Sequence, residues 1–209
     1  MPLYNPAKPL LFIHVPKTGG HSLGRVFWEW FPRTFRPTYT GYNKPAYKKL
    51  KNNPSTKACT VYFGHIPKVP TGWGNQVMTV LRDPFNRAVS EYFHRKRRKM
   101  ELPYDSLEDF IKRAIQSSMA TRFEGETVTL DNYKEYIDKR HLFVGAMEHL
   151  QASIDGMADV LGKQSVKVEK RNVGKHLYDE PIPEHLREEF EAKYALDVAI
   201  HRYVLRQFE

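Results

Sequence analysis

Cysteine is all but missing from this 209-residue chain: Cys59 stands alone, which excludes an internal disulfide framework and suits a reducing compartment. No apolar stretch approaches the ~20 residues that a membrane-spanning helix requires, and the first apolar run is too short and too early for a signal peptide. A cytoplasmic protein is therefore expected, with no membrane partner. The chain lacks HExxH, paired cysteine ligands and any close carboxylate pair in a recognisable ligand pattern, so nothing in it asks for a metal. No repeat or low-complexity linker divides it, and residues 1–209 are expected to form one domain. Acidic residues are in the minority. Against 33 Lys+Arg there are 24 Asp+Glu, giving a net charge of +9. Such a chain attracts anions, although charge alone does not choose among a nucleotide, an acidic glycan and a nucleic acid.

What the chain does have is a strand–turn–helix corner near its start. Residues Leu10 to Arg25 read LLFIHVPKTGGHSLGR: Leu11, Phe12, Ile13 and Val15 make an apolar, β-favouring run, and a helix begins beyond Gly20. Gly19 and Gly20 let the backbone approach a ligand closely. A phosphate at Ser22 and the neighbouring N–H groups would meet unpaired amides, the positive end of the helix dipole and the Lys17 ammonium together. The order differs from GxxxxGK[ST], where the lysine follows the glycines and a hydroxyl then holds magnesium. Here Lys17 comes first. The plain alternative is a basic turn that only joins a strand to a helix.

A second corner runs from Val77 to His94, VMTVLRDPFNRAVSEYFH. Asp83 suits an N-cap, Pro84 the first helical position, and Phe85, Val89 and Tyr92/Phe93 recur as an inward face. Arg82 leaves the strand end as Ser90 comes round on the helix, and the planar fork of an arginine suits a phosphate; a local Arg82–Asp83 ion pair is the competing reading. Between the corners, the run Thr60 to Phe63 ends at Gly64-His65. An imidazole there is suited to take a proton near neutrality. His14 and His21, beside the first loop, are rival histidines, and Glu91 and Glu148 are the carboxylate alternatives.

PKTGG followed by Ser22 resembles the 5′-phosphosulfate loop of sulfotransferases that use 3′-phosphoadenosine 5′-phosphosulfate (PAPS), above all the carbohydrate group that includes heparan sulfate 2-O-sulfotransferase. LRDPxxRxxSxY is similar to that family's 3′-phosphate element, and Gly64-His65 to the Gly-His pair that carries its catalytic base. The resemblance implies a P-loop-like α/β three-layer sandwich, PAPS as co-substrate without a metal, and transfer of a sulfuryl group to an acceptor hydroxyl. It implies His65 as base and Lys17 against the leaving phosphate. Thr18, Gly19, Gly20, His21 and Ser22 would donate to the 5′ end, with Arg82 and Ser90 on the ribose 3′-phosphate. His21 stands where the family commonly has a threonine. Arg171, Asn172 and Lys175, in a basic loop, are secondary candidates beside the nucleotide, with solvated surface charge as the alternative. The basic chain suits an acidic glycan as acceptor.

The order strand, helix, strand, strand, helix, then helices with short strands, independently argues for a parallel sheet covered on both faces. Loops that bind phosphate belong at the strand C-terminal ends of such a fold. Further along, Ser106 with Asp109 starts a helix, and His141 to Gly145 reads as a strand entering a helix from Met147 to Leu161 that stops at Gly162. Val166 to Glu169 reads as a last strand, and one helix runs from about Pro183 to the end. Trp28 to Lys57 and Met119 to Tyr133 are expected as loops that shape the acceptor site. The run His94 to Lys99 either holds a polyanion or is a solvated helix end. Two other classes compete. A nucleic-acid-binding module would show a known motif or an aromatic-interleaved platform, and a nucleotide phosphotransferase would need magnesium.

Overall fold

A computed structural model of the chain describes residues 2–38, 60–66, 76–100, 104–113, 128–168 and 182–209. Five strands, β1 (Leu10–His14), β2 (Phe35–Pro37), β3 (Val61–Gly64), β4 (Val77–Leu81) and β5 (Phe143–Ala146), form one sheet in the order β2-β3-β1-β4-β5. Every pairing is parallel. β1 and β4 are buried along their whole length, which is why both read as unbroken apolar runs rather than alternating ones.

Helices cover both faces. α1 (Gly20–Trp30) and α5 (Leu150–Leu161) bring Leu23, Val26, Phe27, Ile154, Met157 and Leu161 onto Leu10, Phe12, Met78 and Val80. Phe12 stacks on Phe63 at 4.7 Å between ring centres, with Phe27 tilted against both. On the opposite face α4 (Tyr133–Arg140) and α7 (Ala195–Leu205) pack Tyr136, Ile137, Ile200 and Val204 against Leu81, Val144 and Ala146. α2 (Pro84–Arg97), α3 (Leu107–Arg113) and α6 (Glu184–Lys193) share a third cluster around Phe85, Tyr92, Phe110 and Phe190. The result is the α/β three-layer architecture expected from the sequence.

The element boundaries differ from the sequence reading in four places. Val166 to Val168 form no strand: Val168 N–H donates to Gln151 Oε1 at 3.0 Å and Gln151 Nε2 donates to Val166 O at 3.2 Å, so a side chain of α5 takes the bonds a neighbouring strand would have taken. Glu169 lies outside the described residues. The last helix is two, because Tyr194 leaves the helical region (φ −115°, ψ 39°) while its ring stays against Phe190 at 4.5 Å. Met147–His149 is a single 3-10 turn ahead of α5. Finally, α4 and β2 were not foreseen; α4 buries only Tyr136 and Ile137, and β2 is three residues ending in proline.

His141 marks where α4 hands over to β5, and its ring is fully enclosed. Burial pushes its imidazole down to about 4, against a slight opposing pull from its bond to the Ile137 carbonyl. The unfolded chain takes up this proton near pH 6.5, whereas the folded protein resists until about pH 4. The sign is therefore fixed: the stability tied to neutral His141 is complete above pH 6.5 and declines as pH falls, by up to about 3 kcal/mol. Urea unfolding at pH 7.5 and 4.5 should show this loss, and His141→Leu should flatten the dependence.

Candidate active site

Because β3, β1 and β4 are parallel neighbours, their C-terminal ends open on one edge of the sheet. That edge gathers His65 after β3, the Lys17 loop after β1 and Arg82 after β4. The Val15–Gly19 turn is tight. Thr18 is fully buried and its hydroxyl donates to Val15 O at 2.8 Å, so this side chain shapes the loop from within. Lys17 has φ 72° and Gly19 φ 77°. The glycine accepts that conformation freely, whereas the lysine is held there at a cost of roughly 1–3 kcal/mol.

Arg82 supplies part of the restraint: its Nη1 donates to Lys17 O at 3.2 Å and thereby ties the two corners together. Gly20 permits close packing at the helix start. A Cβ there would lie 1.9 Å from His14 Cε1, so only glycine lets α1 begin over the His14 ring. His14 in turn packs against His65, ring centres 4.6 Å apart and planes tilted by 50°. The buried His14 thus forms the floor between the loop and the half-buried His65.

The two helix starts at this edge are not equivalent. Asp83 caps α2, its carboxylate accepting from Asn86 N–H at 2.8 Å, so a carboxylate already sits at that positive end. α1 begins with no side-chain cap and no acidic residue in its first turn. An added anion is therefore favoured at Gly20, His21 and Ser22 rather than at α2. His21 is exposed and Ser22 half-buried there, while Ser90 is buried on α2.

Charge converges on Lys17 from α2. Burial, followed by the Arg97, Arg82 and Arg98 guanidiniums, holds its ammonium below the usual lysine range, with Glu91 pulling the other way. Burial and then Lys17 likewise depress the His94 imidazole. Glu91 is itself engaged by Arg95 at 2.7 Å, and Glu148 accepts from Asp83 N–H at 2.8 Å and pairs with His201 at 3.2 Å. Both carboxylates are thus committed to partners. Among the described residues, the half-buried Lys17, Arg82 and His94 and the exposed Arg97 and Arg98 outnumber the carboxylates acting on Lys17, an imbalance that a bound anion would relieve.

Of the residues anticipated from sequence, Lys17, Thr18, Gly19, Gly20, His21, Ser22, Arg82 and His65 lie at this edge, with Ser90 on the helix leaving it. Arg171, Asn172 and Lys175 lie outside the described residues. Sequence reasoning missed the turn of the basic α2 end toward Lys17, although the dense run His94 to Lys99 was visible. It also missed Arg87, buried with Asp197 as the first of the charges facing it; an arginine amid the apolar residues of α2 was the available signal.

The donor set suits a nucleotide carrying phosphates at two ends: an uncapped helix start with a lysine beside it, and an arginine one strand away. Curated proteins offer no sequence match to the chain. Among solved structures, a sulfotransferase from Alicyclobacillus acidocaldarius superposes with a TM-score of 0.51 at 18% identity, covering 95% of this chain and 96% of that one. Mouse sulfotransferase SULT7A1 complexed with PAP gives 0.52 at 18% identity, over 79% of this chain and 62% of that one. These likenesses extend the fold to known structures. The sequence profile described as "Sulfotransferase family" matches residues 3–209, nearly the whole chain, and the protein accordingly belongs to the sulfotransferase family, whose reaction is the transfer of a sulfuryl group.

Proposed function

We propose that the protein is a PAPS-dependent O-sulfotransferase of the carbohydrate type, acting in the cytoplasm on a hydroxyl of an acidic glycan. The observation that carries this reading is the cluster of Lys17, Arg82, His94, Arg97 and Arg98 about the uncapped start of α1. PAPS, when bound, supplies an activated sulfuryl group on a 5′-phosphate together with a separate 3′-phosphate.

The chain's residues divide the work. Backbone N–H groups from Thr18 to Ser22 and the hydroxyl of Ser22 bind the 5′ end, and the Lys17 ammonium neutralises the charge that grows there. Arg82 and Ser90 hold the 3′-phosphate, which leaves α2's capped N-terminus uninvolved. His65 accepts the proton of the attacking hydroxyl, backed by the His14 ring. The exposed Arg97 and Arg98, projecting from the last turn of α2, attract acidic groups of the acceptor. Neither the Lys-before-Gly order nor the donor set calls for a metal ion.

Calorimetric titration with 3′-phosphoadenosine 5′-phosphate, alongside ATP with and without magnesium, tests the reading directly. Binding of the first without help from magnesium is expected; preference for magnesium-ATP would overturn it in favour of a phosphotransferase. Lys17→Ala and His65→Ala should each lower sulfuryl transfer by at least ~10²-fold. In the same titration His65→Ala should keep its affinity, whereas Arg82→Ala should lose several-fold or more. For the acceptor, Arg97→Ala combined with Arg98→Ala should raise KM for an acidic glycan about tenfold at low salt and much less at high salt, since these charges are exposed. An unchanged KM would detach the acidic acceptor from this surface.

A further inference from the structure

Glu148 has a place in the structure that its position in the chain does not announce. It stands in the 3-10 turn that follows β5, and β5 pairs with β4, placing Ala146 beside Leu81. From there its Oε1 accepts the Asp83 backbone N–H at 2.8 Å, and its Oε2 meets His201 Nε2 on α7 at 3.2 Å. Burial works against ionisation of this carboxyl, but the bonds from His201 and Asp83 prevail and hold it below the usual range. An ionised carboxylate only accepts, so His201 presents a protonated Nε2 to it.

The bond to Asp83 N–H matters because that amide belongs to the peptide joining Arg82 to Asp83. Fixing its orientation fixes the direction in which Arg82 leaves β4. Arg82 then reaches Lys17 O, so a continuous series of hydrogen bonds runs from His201 through Glu148, the Asp83 amide and Arg82 to the strained lysine. The Asp83 side chain is occupied elsewhere: it caps α2 and meets Arg187 of α6 at 3.3 Å, and Arg187 also bonds Asn86 Oδ1 at 3.0 Å and lies over Phe85. Those contacts hold the helix start, leaving Glu148 to orient the peptide ahead of it.

We infer that Glu148 is a positioning residue for the donor nucleotide, aiming Arg82 at the 3′-phosphate through the Asp83 amide without touching the nucleotide itself. This rests on the assignment of Arg82 to that phosphate. Loss of a charge-assisted bond of this kind should cost about tenfold in affinity. The role differs from simple support of the fold, because it falls on one substrate only.

The experiment is titration of wild type, Glu148→Ala and Glu148→Gln with 3′-phosphoadenosine 5′-phosphate, with affinity read per folded molecule, followed by KM for donor and for acceptor. Glu148→Ala should raise the nucleotide Kd and the donor KM about tenfold and leave the acceptor KM, at saturating donor, as in wild type. Glu148→Gln keeps an oxygen for the Asp83 amide and should stay within about threefold of wild type. Unchanged nucleotide affinity in Glu148→Ala, or an equal rise in both KM values, would overturn the role. If Glu148→Ala does not fold, Glu148→Asp, which withdraws the carboxylate by one methylene, must show the donor-specific rise, and its absence would likewise overturn the proposal. Failure of wild type to bind the nucleotide would instead remove the assignment of the site itself, so the two failures are separable.

Discussion

Parallel pairing of β1 with both β3 and β4 is the constraint from which the site follows. Parallel strands deliver their C-terminal ends to the same edge, and here three adjacent strands are each followed within three residues by a polar residue of the expected chemistry: His65, Lys17 and Arg82. The hydrogen bond from Arg82 to Lys17 O converts that proximity into a joined structure. With it, the residue expected at the ribose phosphate also restrains the residue expected at the departing phosphate.

Electrostatics then separates the roles of otherwise similar parts. Both corners start helices, yet Asp83 satisfies one positive end whereas the first turn of α1 carries no acidic residue. The cationic end of α2 returns toward the uncapped start, adding Arg97, Arg98 and His94 to the field around Lys17. Part of this field is balanced internally by Glu91, which is shared with Arg95. The remainder should attract anions, and salt should weaken its exposed outer part more than its buried centre.

Much of the frame was legible in the chain itself because its signals are local. Unbroken apolar runs marked β1 and β4; Gly19-Gly20 and Asp83-Pro84 marked where each gives way to a helix, and the Asp83 cap formed as its residue type demands. Ser106 likewise caps the following helix, accepting from Asp109 N–H at 3.0 Å. What escaped the sequence depends on distance along it. Glu148 and Asp83 are 65 positions apart, and no local pattern announces that they meet. The direction of the basic α2 end depends on how that helix packs. Val166 to Val168 carry strand-like residues but find the Gln151 side chain instead of a ladder, while β2 and α4 are too short to carry a strong period.

The backbone of Lys17 adds a last consequence. A residue whose ammonium we propose for the reacting centre occupies a left-handed conformation that glycine or asparagine would adopt with less strain. Stability and chemistry thus make opposite demands on one position. Selection for heat resistance alone would push this lysine out of the chain, so its retention in any hardened variant would itself report that turnover had been kept under selection.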